Sequence, residues 1–132
     1  MGTFKDLVAW KQSLELAKCI YDCTSRFPVE ERFGLTNQMR RCAVSIPSNI
    51  AEGYGRLTDN ELVHFMYIAK GSCNELETQL ILSYQLSFVS VDEFNRLEAM
   101  INEINKMISS LIYRRKNGLD TNVNPTNLKT GK

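Results

Sequence analysis

Apolar residues recur three and four positions apart along most of this 132-residue chain. The clearest series lies near the C-terminus and contains Phe94, Leu97, Ile101, Ile104, Ile108 and Leu111. Residues at this spacing lie on one face of an α-helix, where they form the apolar seam through which helices pack into bundles. No segment shows the period of two that is typical of a β-strand. The chain is therefore restricted to packed helices.

The spacing, together with helix start and stop signals, predicts four helices, at about residues 6–25, 34–54, 59–87 and 91–115. Asp6 is the expected N-cap of the first helix, and Thr58 and Ser90, each followed three positions later by a glutamate, open the third and fourth. Short connections make successive helices antiparallel. We therefore predict an all-α fold, an antiparallel up-down-up-down four-helix bundle in residues 1–117. Residues 118–132 are polar and lack periodicity, so a disordered tail is expected there.

The first helix is predicted to face the core through Leu7, Trp10, Leu14, Ala17 and Tyr21, which alternate three and four apart. Trp10 has an alternative role as a platform on which a nucleic-acid base stacks. Its position between Leu7 and Leu14 on an apolar face favours core packing.

The most unusual stretch is RRCAVSIPSNIAEGYGR, which begins at Arg40 and has the periodicity of a helix but contains Pro47. Proline has no N–H group, so the carbonyl of Ala43 loses its helical partner. Because the apolar periodicity continues across Pro47, we predict a continuous but bent helix. Gly53 and Gly55 are expected to end it in the left-handed conformation.

This second helix has an apolar side broader than the stripe of about 100° that an ordinary helix contact uses. The apolar side contains Met39, Cys42, Ala43, Ile46, Ile50 and Tyr54, and the opposite polar stripe contains Arg41, Ser45, Ser48, Asn49, Glu52 and Arg56. The breadth suggests that the helix is covered from two directions, by its own bundle and by a neighbouring subunit. We therefore predict a homo-oligomer.

The charge balance restricts how the chain interacts with nucleic acid. Sixteen basic and fifteen acidic residues leave a net charge of +1, which argues against a broad electrostatic footprint and leaves room only for a local basic patch. The candidates for contact with RNA phosphates are Arg40, Arg56, Arg114, Arg115 and Lys116, and Lys70 is a further cation of interest. The alternative is that these side chains are solvated or pair with nearby glutamates.

Arg41 and Glu75 are predicted to form a structural ion pair. Glu75 shares a helix stripe with Ser72 and Gln79, which suggests a partly buried carboxylate, and such a group needs a cation. Arg41 on the second helix is the obvious partner. The alternative role for these residues is ligand binding.

Sequence motifs of catalysis and metal binding are absent from the chain. It has a single histidine, and the Glu61–His64 pair satisfies the Glu-x-x-His spacing of di-iron bundles only once. The four cysteines are expected to be reduced packing residues, with a metal or redox role as the alternative. We therefore predict no catalytic residues, no metal, no cofactor and no small-molecule substrate. Without a signal peptide or a membrane-length apolar run, the expected location is the cytoplasm.

Several long blocks resemble a known family. They are FKDLVAWKQSLEL from Phe4, FP at Phe27, GLTNQMRRCAVSIPSNIAEGYGR from Gly34 and IAKGSCNELETQL from Ile68. From about Phe4 to Arg115, the sequence resembles the bacterial four-helix-bundle family that includes proteins encoded by intervening sequences within 23S ribosomal RNA genes. The resemblance implies a helical protein that forms a ring, with a pentamer favoured. It also implies a relationship to the accessory variability protein of diversity-generating retroelements, which works with a reverse transcriptase and its RNA.

The function that this resemblance implies is that of a non-enzymatic oligomer. It would bind RNA or an RNA-handling partner, such as a ribosomal component or a reverse transcriptase. The alternative is a protein-interaction scaffold that makes no contact with nucleic acid, which the nearly neutral charge favours.

Overall fold

The computed structural model describes residues 3–119, which form four α-helices and two short 3₁₀ helices. The α-helices are α1, Val8–Thr24; α2, Leu35–Tyr54; α3, Asp59–Gln85; and α4, Val91–Lys116. The 3₁₀ helices are Phe4–Asp6 and Val29–Glu31. The predicted all-α fold is confirmed, and the helix ends lie within two residues of the predicted ones. From residue 120 onward the predicted tail lies outside the described residues.

Each helix packs against two others, in the cyclic order α1, α2, α3, α4. The ion pair between Arg26 and Glu93, with an N–O distance of 2.6 Å, joins the end of α1 to the start of α4. A second ion pair, between Arg115 and Asp59, joins the end of α4 to the start of α3. Neighbouring helices are therefore antiparallel, as the up-down-up-down prediction requires.

Helices α3 and α4 form the core of the bundle through residues spaced three and four apart. On α3 the residues of this series are all buried: Leu62, Met66, Ala69, Cys73, Leu76, Leu80 and Ser83. On α4, Phe94 is partly buried and the other five are buried: Leu97, Ile101, Ile104, Ile108 and Leu111. Burial of these side chains supplies the main driving force for packing the two helices.

The seam predicted on α1 is wrong in part. Leu7 and Ala17 are buried, but Leu14 and Tyr21 are 40% and 45% exposed, and Trp10 is half-buried against the ring of Phe4. The face of α1 that packs into the core instead contains Ala9, Ser13, Leu16, Ala17, Ile20, Cys23 and Thr24. Helix α1 therefore has a second apolar face outside the core.

The predicted N-cap is also corrected, because Asp6 does not precede α1 directly. Thr3 caps the first 3₁₀ helix, and the Asp6 carboxylate accepts a hydrogen bond from the Thr3 backbone N–H at 3.1 Å. Helix α1 then begins at Val8, after the extended residue Leu7.

Pro47 lies inside α2, which is continuous from Leu35 to Tyr54. The predicted continuity is confirmed, whereas the predicted bend stays a prediction. The expected left-handed glycines are wrong, because Gly53 is helical and Gly55 has φ −91° and ψ −2°. A Cβ atom at Gly53 would lie 3.0 Å from the Phe65 Cβ atom, so this glycine lets α2 and α3 approach closely.

Helix α4 ends in a left-handed residue, Gly118, with φ +65°. The Leu119 N–H donates to the Arg114 carbonyl at 2.8 Å, which is the six-to-one hydrogen bond of a Schellman motif. The backbone that presents Arg114, Arg115 and Lys116 is therefore fixed at its C-terminal end.

Candidate nucleic-acid interface

Arg40, one of the predicted RNA contacts, fastens α2 to the end of α1. Its Nε atom donates to Thr24 Oγ1 at 2.8 Å, and its Nη2 atom donates to the Tyr21 carbonyl at 3.2 Å. Its guanidinium group also lies 4.6 Å from the centroid of the Tyr21 ring. These contacts use two of the five N–H donors of the guanidinium group and hold it against α1, so Arg40 acts in packing.

Arg115 holds the end of α4 against the neighbouring helices. Its side chain is only 11% exposed and its Nη1 atom pairs with Asp59 Oδ1 at 2.9 Å. The guanidinium group lies 5.4 Å from the centroid of the Tyr54 ring. Arg114 is half-buried beside it. Two residues of the predicted basic cluster, Arg114 and Arg115, are thus partly buried in the bundle.

Arg56 and Lys116 remain accessible. Arg56 pairs with Glu52 at 2.6 Å and covers the Phe65 ring at 4.7 Å, with 42% of its side chain exposed. Lys116 is exposed, and its Nζ atom lies 5.7 Å from the centroid of the Tyr67 ring. No carboxylate of a described residue lies within 4.0 Å of the Lys116 ammonium group, so its charge is available to a ligand.

Lys116 lies at one end of a groove between α3 and α4 that we call the α3–α4 groove. It consists of two adjoining cavities of about 350 and 480 Å³ that share Lys70 and Ser109. The groove is lined by Tyr67, Lys70, Asn102, Asn105, Lys106, Ser109, Ile112, Tyr113, Lys116 and Asn117. These lining residues include lysines but no carboxylate. The groove is therefore a site with a local positive charge.

Lys70 lies at the centre of the groove and is half-buried. Its Nζ atom donates to Asn105 Oδ1 at 2.5 Å and to Ser109 Oγ at 2.9 Å. The Asn105 amide is itself oriented, because its Nδ2 atom donates to Asn74 Oδ1 at 2.9 Å. An ammonium group has three donors, and both protein partners of Lys70 are neutral. Lys70 thus keeps its full charge and one donor for an anion.

Sequence reasoning identified Lys70 and Lys116 separately but missed the groove that joins them. The missing signal was periodic: Asn102, Lys106, Ser109, Tyr113 and Lys116 recur three and four apart on α4. That spacing places them on one face of the helix, just as it does for the apolar seam. A search for polar residues spaced three and four apart would therefore have identified the α4 side of the groove.

A second groove lies between α2 and α3 and contains Arg41 and Glu75. It has a volume of about 430 Å³ and is lined by Phe33, Asn37, Gln38, Arg41, Cys42, Ser45, Ser72 and Glu75. No ion pair within 4.0 Å joins Arg41 to Glu75, so the structure brings the two residues together without pairing them. Glu75 is exposed, which removes the burial that motivated the prediction.

An uncovered apolar surface, which we call the α1–α2 face, lies on the outside of the bundle. It consists of Trp10, Leu14, Tyr21, Val44 and Ala51. It includes a shallow cavity of about 290 Å³, which the buried Pro47 also lines. Leu14 is 40% and Val44 is 42% exposed. The broad apolar side of α2 packs mostly within its own bundle, between α1 and α3. The apolar part of α2 that remains for a neighbouring molecule, at Val44, therefore lies on this face.

The thiols of Cys23, Cys42 and Cys73 are buried and Cys19 is half-buried, all of them as free thiols. Burial raises the pKa of each of the three buried thiols to about 12. Within residues 3–119, no group of three or more histidine, cysteine, aspartate or glutamate side chains is placed to hold a metal ion. None of the helices in that range has both the length and the apolar character needed to span a membrane.

Comparison with known proteins identifies relatives of this fold. Residues 5–110 match the family model of the 23S rRNA-intervening sequence protein. A similar solved structure is that of a protein of unknown function from Bacteroides thetaiotaomicron, described as a member of the S23 ribosomal protein family. The two chains are 26% identical, with a TM-score of 0.75, and the match covers 80% of this chain and 98% of the other. Among proteins with curated descriptions, no sequence matches this chain.

Proposed function

Because the chain belongs to the 23S rRNA-intervening sequence protein family, we propose that it is a non-enzymatic protein that binds RNA through the phosphate backbone. The family name refers to 23S rRNA, and the Bacteroides relative is described as a member of a ribosomal protein family. The observation that supports the proposal in this chain is the α3–α4 groove, where Lys70, Lys106 and Lys116 form no ion pair with a carboxylate of residues 3–119.

Unpaired lysines favour RNA binding for a physical reason. Each phosphate that a lysine neutralises releases condensed counterions, which makes association favourable at low salt and weaker as salt rises. The net charge of +1 prevents broad attraction, so a local cluster of cations has to supply the affinity. Arg56 and Arg114 lie at the same end of the bundle as Lys116 and extend the cluster. Arg40 and Arg115 contribute by holding the helices in place.

The test is an anisotropy titration of labelled RNA over a series of salt concentrations. We expect affinity to fall linearly with salt on a logarithmic plot. Changing Lys70, Lys106 and Lys116 together to methionine should reduce the slope by about 2, since each phosphate contact on a single strand contributes about 0.7.

The matched control replaces Lys5, Lys11 and Lys18 with methionine, which removes the same charge from the N-terminal turn and α1. This control should keep most of the slope. An equal loss in both triple variants would mean that the groove has no special role. Absence of binding even at low salt would favour a scaffold that contacts only proteins.

The second candidate function is such a scaffold, and the α1–α2 face is the observation that favours it. An exposed apolar patch commonly marks a protein interaction site. Its proposed occupant is a second copy of the chain, in a homo-oligomer for which the family resemblance favours a ring of five. In a ring, the α3–α4 groove is repeated by symmetry, so weak contacts add up through multivalency. The proposed RNA-handling partner is a ribosomal component or a reverse transcriptase. The proposed location is the cytoplasm.

A further inference from the structure

We propose that the α3–α4 groove is specific for single-stranded RNA, with bases stacked on Tyr67 and Tyr113 and a backbone phosphate bound at Lys70. This inference rests on the proposed function and specifies its substrate. It assigns distinct roles to the aromatic and cationic residues of the same groove.

Both tyrosine rings of the groove are exposed. Tyr67 is 49% and Tyr113 is 61% exposed, although both line the cavity that Lys116 borders. Neither ring packs against another aromatic ring among the described residues. Large aromatic faces usually contribute to a core, so two accessible rings in one basic groove are well suited to nucleobases.

The Lys70 ammonium group is held in a fixed position. Asn105 and Ser109 each accept one of its hydrogen bonds, and Asn74 in turn orients Asn105. A surface lysine normally loses side-chain entropy when it binds an anion, whereas this one is already held in place. Its remaining donor and uncompensated charge suit one phosphate oxygen.

The groove suits a single strand of RNA better than a duplex. In a duplex the bases stack on one another, and only phosphates, 2′-hydroxyl groups and base edges reach a protein. The exposed parts of the two tyrosine rings would then have no base to stack on. A single strand can turn its bases toward the rings while its phosphates contact the lysines. Along α4 the groove extends about 22 Å, from Asn102 to Asn117, which is enough for a few nucleotides.

The experiment compares a single-stranded RNA of about 12 nucleotides with its duplex, at constant salt. We expect the single strand to bind about tenfold more tightly than the duplex. Tyr67→Ala combined with Tyr113→Ala should weaken single-strand binding at least tenfold and leave duplex binding unchanged. Tyr67→Phe with Tyr113→Phe is the matched control, since it keeps the rings and should retain the affinity. Thermal denaturation of each variant verifies that it is folded.

A further experiment tests whether Lys70 binds a phosphate and whether the groove distinguishes RNA from DNA. Lys70→Met should weaken the single strand and reduce the salt slope by about 0.7, whereas Lys11→Met on α1 should do neither. Single-stranded DNA of the same sequence, bound with equal affinity, would overturn the assignment to RNA.

The outcomes separate this inference from the proposed function. If the protein binds RNA but does not distinguish single strand from duplex, or if the alanine variants bind like the wild type, the stacking inference is wrong and backbone binding stands. If the protein binds neither single-stranded nor duplex RNA at low salt, the stacking inference and the proposed function are both wrong.

Discussion

Gly53 lets α2 and α3 pack closely because it has no side chain. A Cβ atom there would lie 3.0 Å from the Cβ atom of Phe65 and 3.2 Å from the carbonyl oxygen of Leu62. Both atoms belong to the frame of α3 and cannot move independently of that helix. We expect Gly53→Ala to lower the free energy of unfolding by about 1 kcal/mol, because the overpacking cost exceeds the gain in helix propensity. Urea denaturation measures the change.

Gly71 provides the matched control for this substitution. It lies within α3, and a Cβ atom there would meet nothing within 4 Å. Gly71→Ala should therefore raise the free energy of unfolding by about 1 kcal/mol through helix propensity alone. If Gly53→Ala were as stabilising as Gly71→Ala, the close approach of α2 and α3 at Gly53 would have to be reconsidered.

The cysteines should differ sharply in reactivity. Only thiolates react, and at pH 8 a buried thiol with a pKa of about 12, as in Cys23, Cys42 and Cys73, is ionised in about one molecule in ten thousand. Cys19 is partly accessible. We expect a thiol reagent to modify one site per chain rapidly in the native protein, and Cys19→Ser to abolish that rapid phase. Rapid modification of Cys73 would contradict the burial described above.

At the scale of elements, periodicity was sufficient to locate the helices but not to orient α1. That helix has apolar residues on two faces, one with Leu16 and Ile20 and another with Leu14 and Tyr21. Hydrophobicity indicates that a side chain favours burial, but which face meets the core depends on where the neighbouring helices lie. On α4 there is only one apolar face, so the seam could be predicted.

At the candidate nucleic-acid interface too, the sequence alone does not show how side chains meet across helices. The sequence identifies cations, yet whether a cation is available depends on contacts between distant elements. Arg40 is held by Thr24, sixteen residues earlier, and Arg115 by Asp59, fifty-six residues earlier. Neither partner could be inferred from spacing along one helix. Lys70 and Lys116 were identifiable as cations, but their shared groove results from the antiparallel pairing of α3 and α4.

The contact between α3 and α4 also predicts a dependence of stability on pH. Burial, followed by hydrogen bonding and repulsion from Glu98, raises the pKa of Glu77 above its ordinary value of 4.5. The folded state therefore binds more protons than the unfolded state, and stability falls as pH rises from about 4.5 through the raised pKa. Glu98→Gln should stabilise the protein by about 0.5 kcal/mol at pH 7. It should also lessen this pH dependence, while the part that burial of Glu77 causes remains.

Denaturation midpoints between pH 4 and pH 7 provide the measurement. Glu103→Gln is the control, because it removes an exposed carboxylate from the same helix. It should leave the pH dependence unchanged. A Glu98→Gln variant with the wild-type dependence would show that the two carboxylates do not interact.

At the scale of the whole molecule, the apolar and basic surfaces lie on opposite sides. The helices pack in the cyclic order α1, α2, α3, α4, so the edge formed by α1 and α2 is opposite the edge formed by α3 and α4. A contact made by the α1–α2 face does not itself cover the α3–α4 groove. A ring also needs a second, different surface on each subunit, so association and RNA binding are compatible when that second surface lies outside the groove.

The last prediction concerns this assembly. Leu14 and Val44 are both more than one-third exposed on the α1–α2 face, and lysines there would place charges in the subunit contact, where their desolvation is costly. We expect native mass spectrometry to find an oligomer for the wild type, with five subunits favoured, and a monomer for Leu14→Lys with Val44→Lys. Leu57→Lys, at a site 97% exposed between α2 and α3, is the control and should remain oligomeric.

A monomeric wild type would contradict the oligomer itself, whereas a dimer or tetramer would remove only the number five. An oligomeric double variant would move the subunit contact to another surface. If the double variant is a folded monomer, its RNA affinity should fall although every groove residue is intact, because the gain from several grooves in one ring is lost. Unchanged RNA affinity in that monomer would mean that a single groove is sufficient for binding.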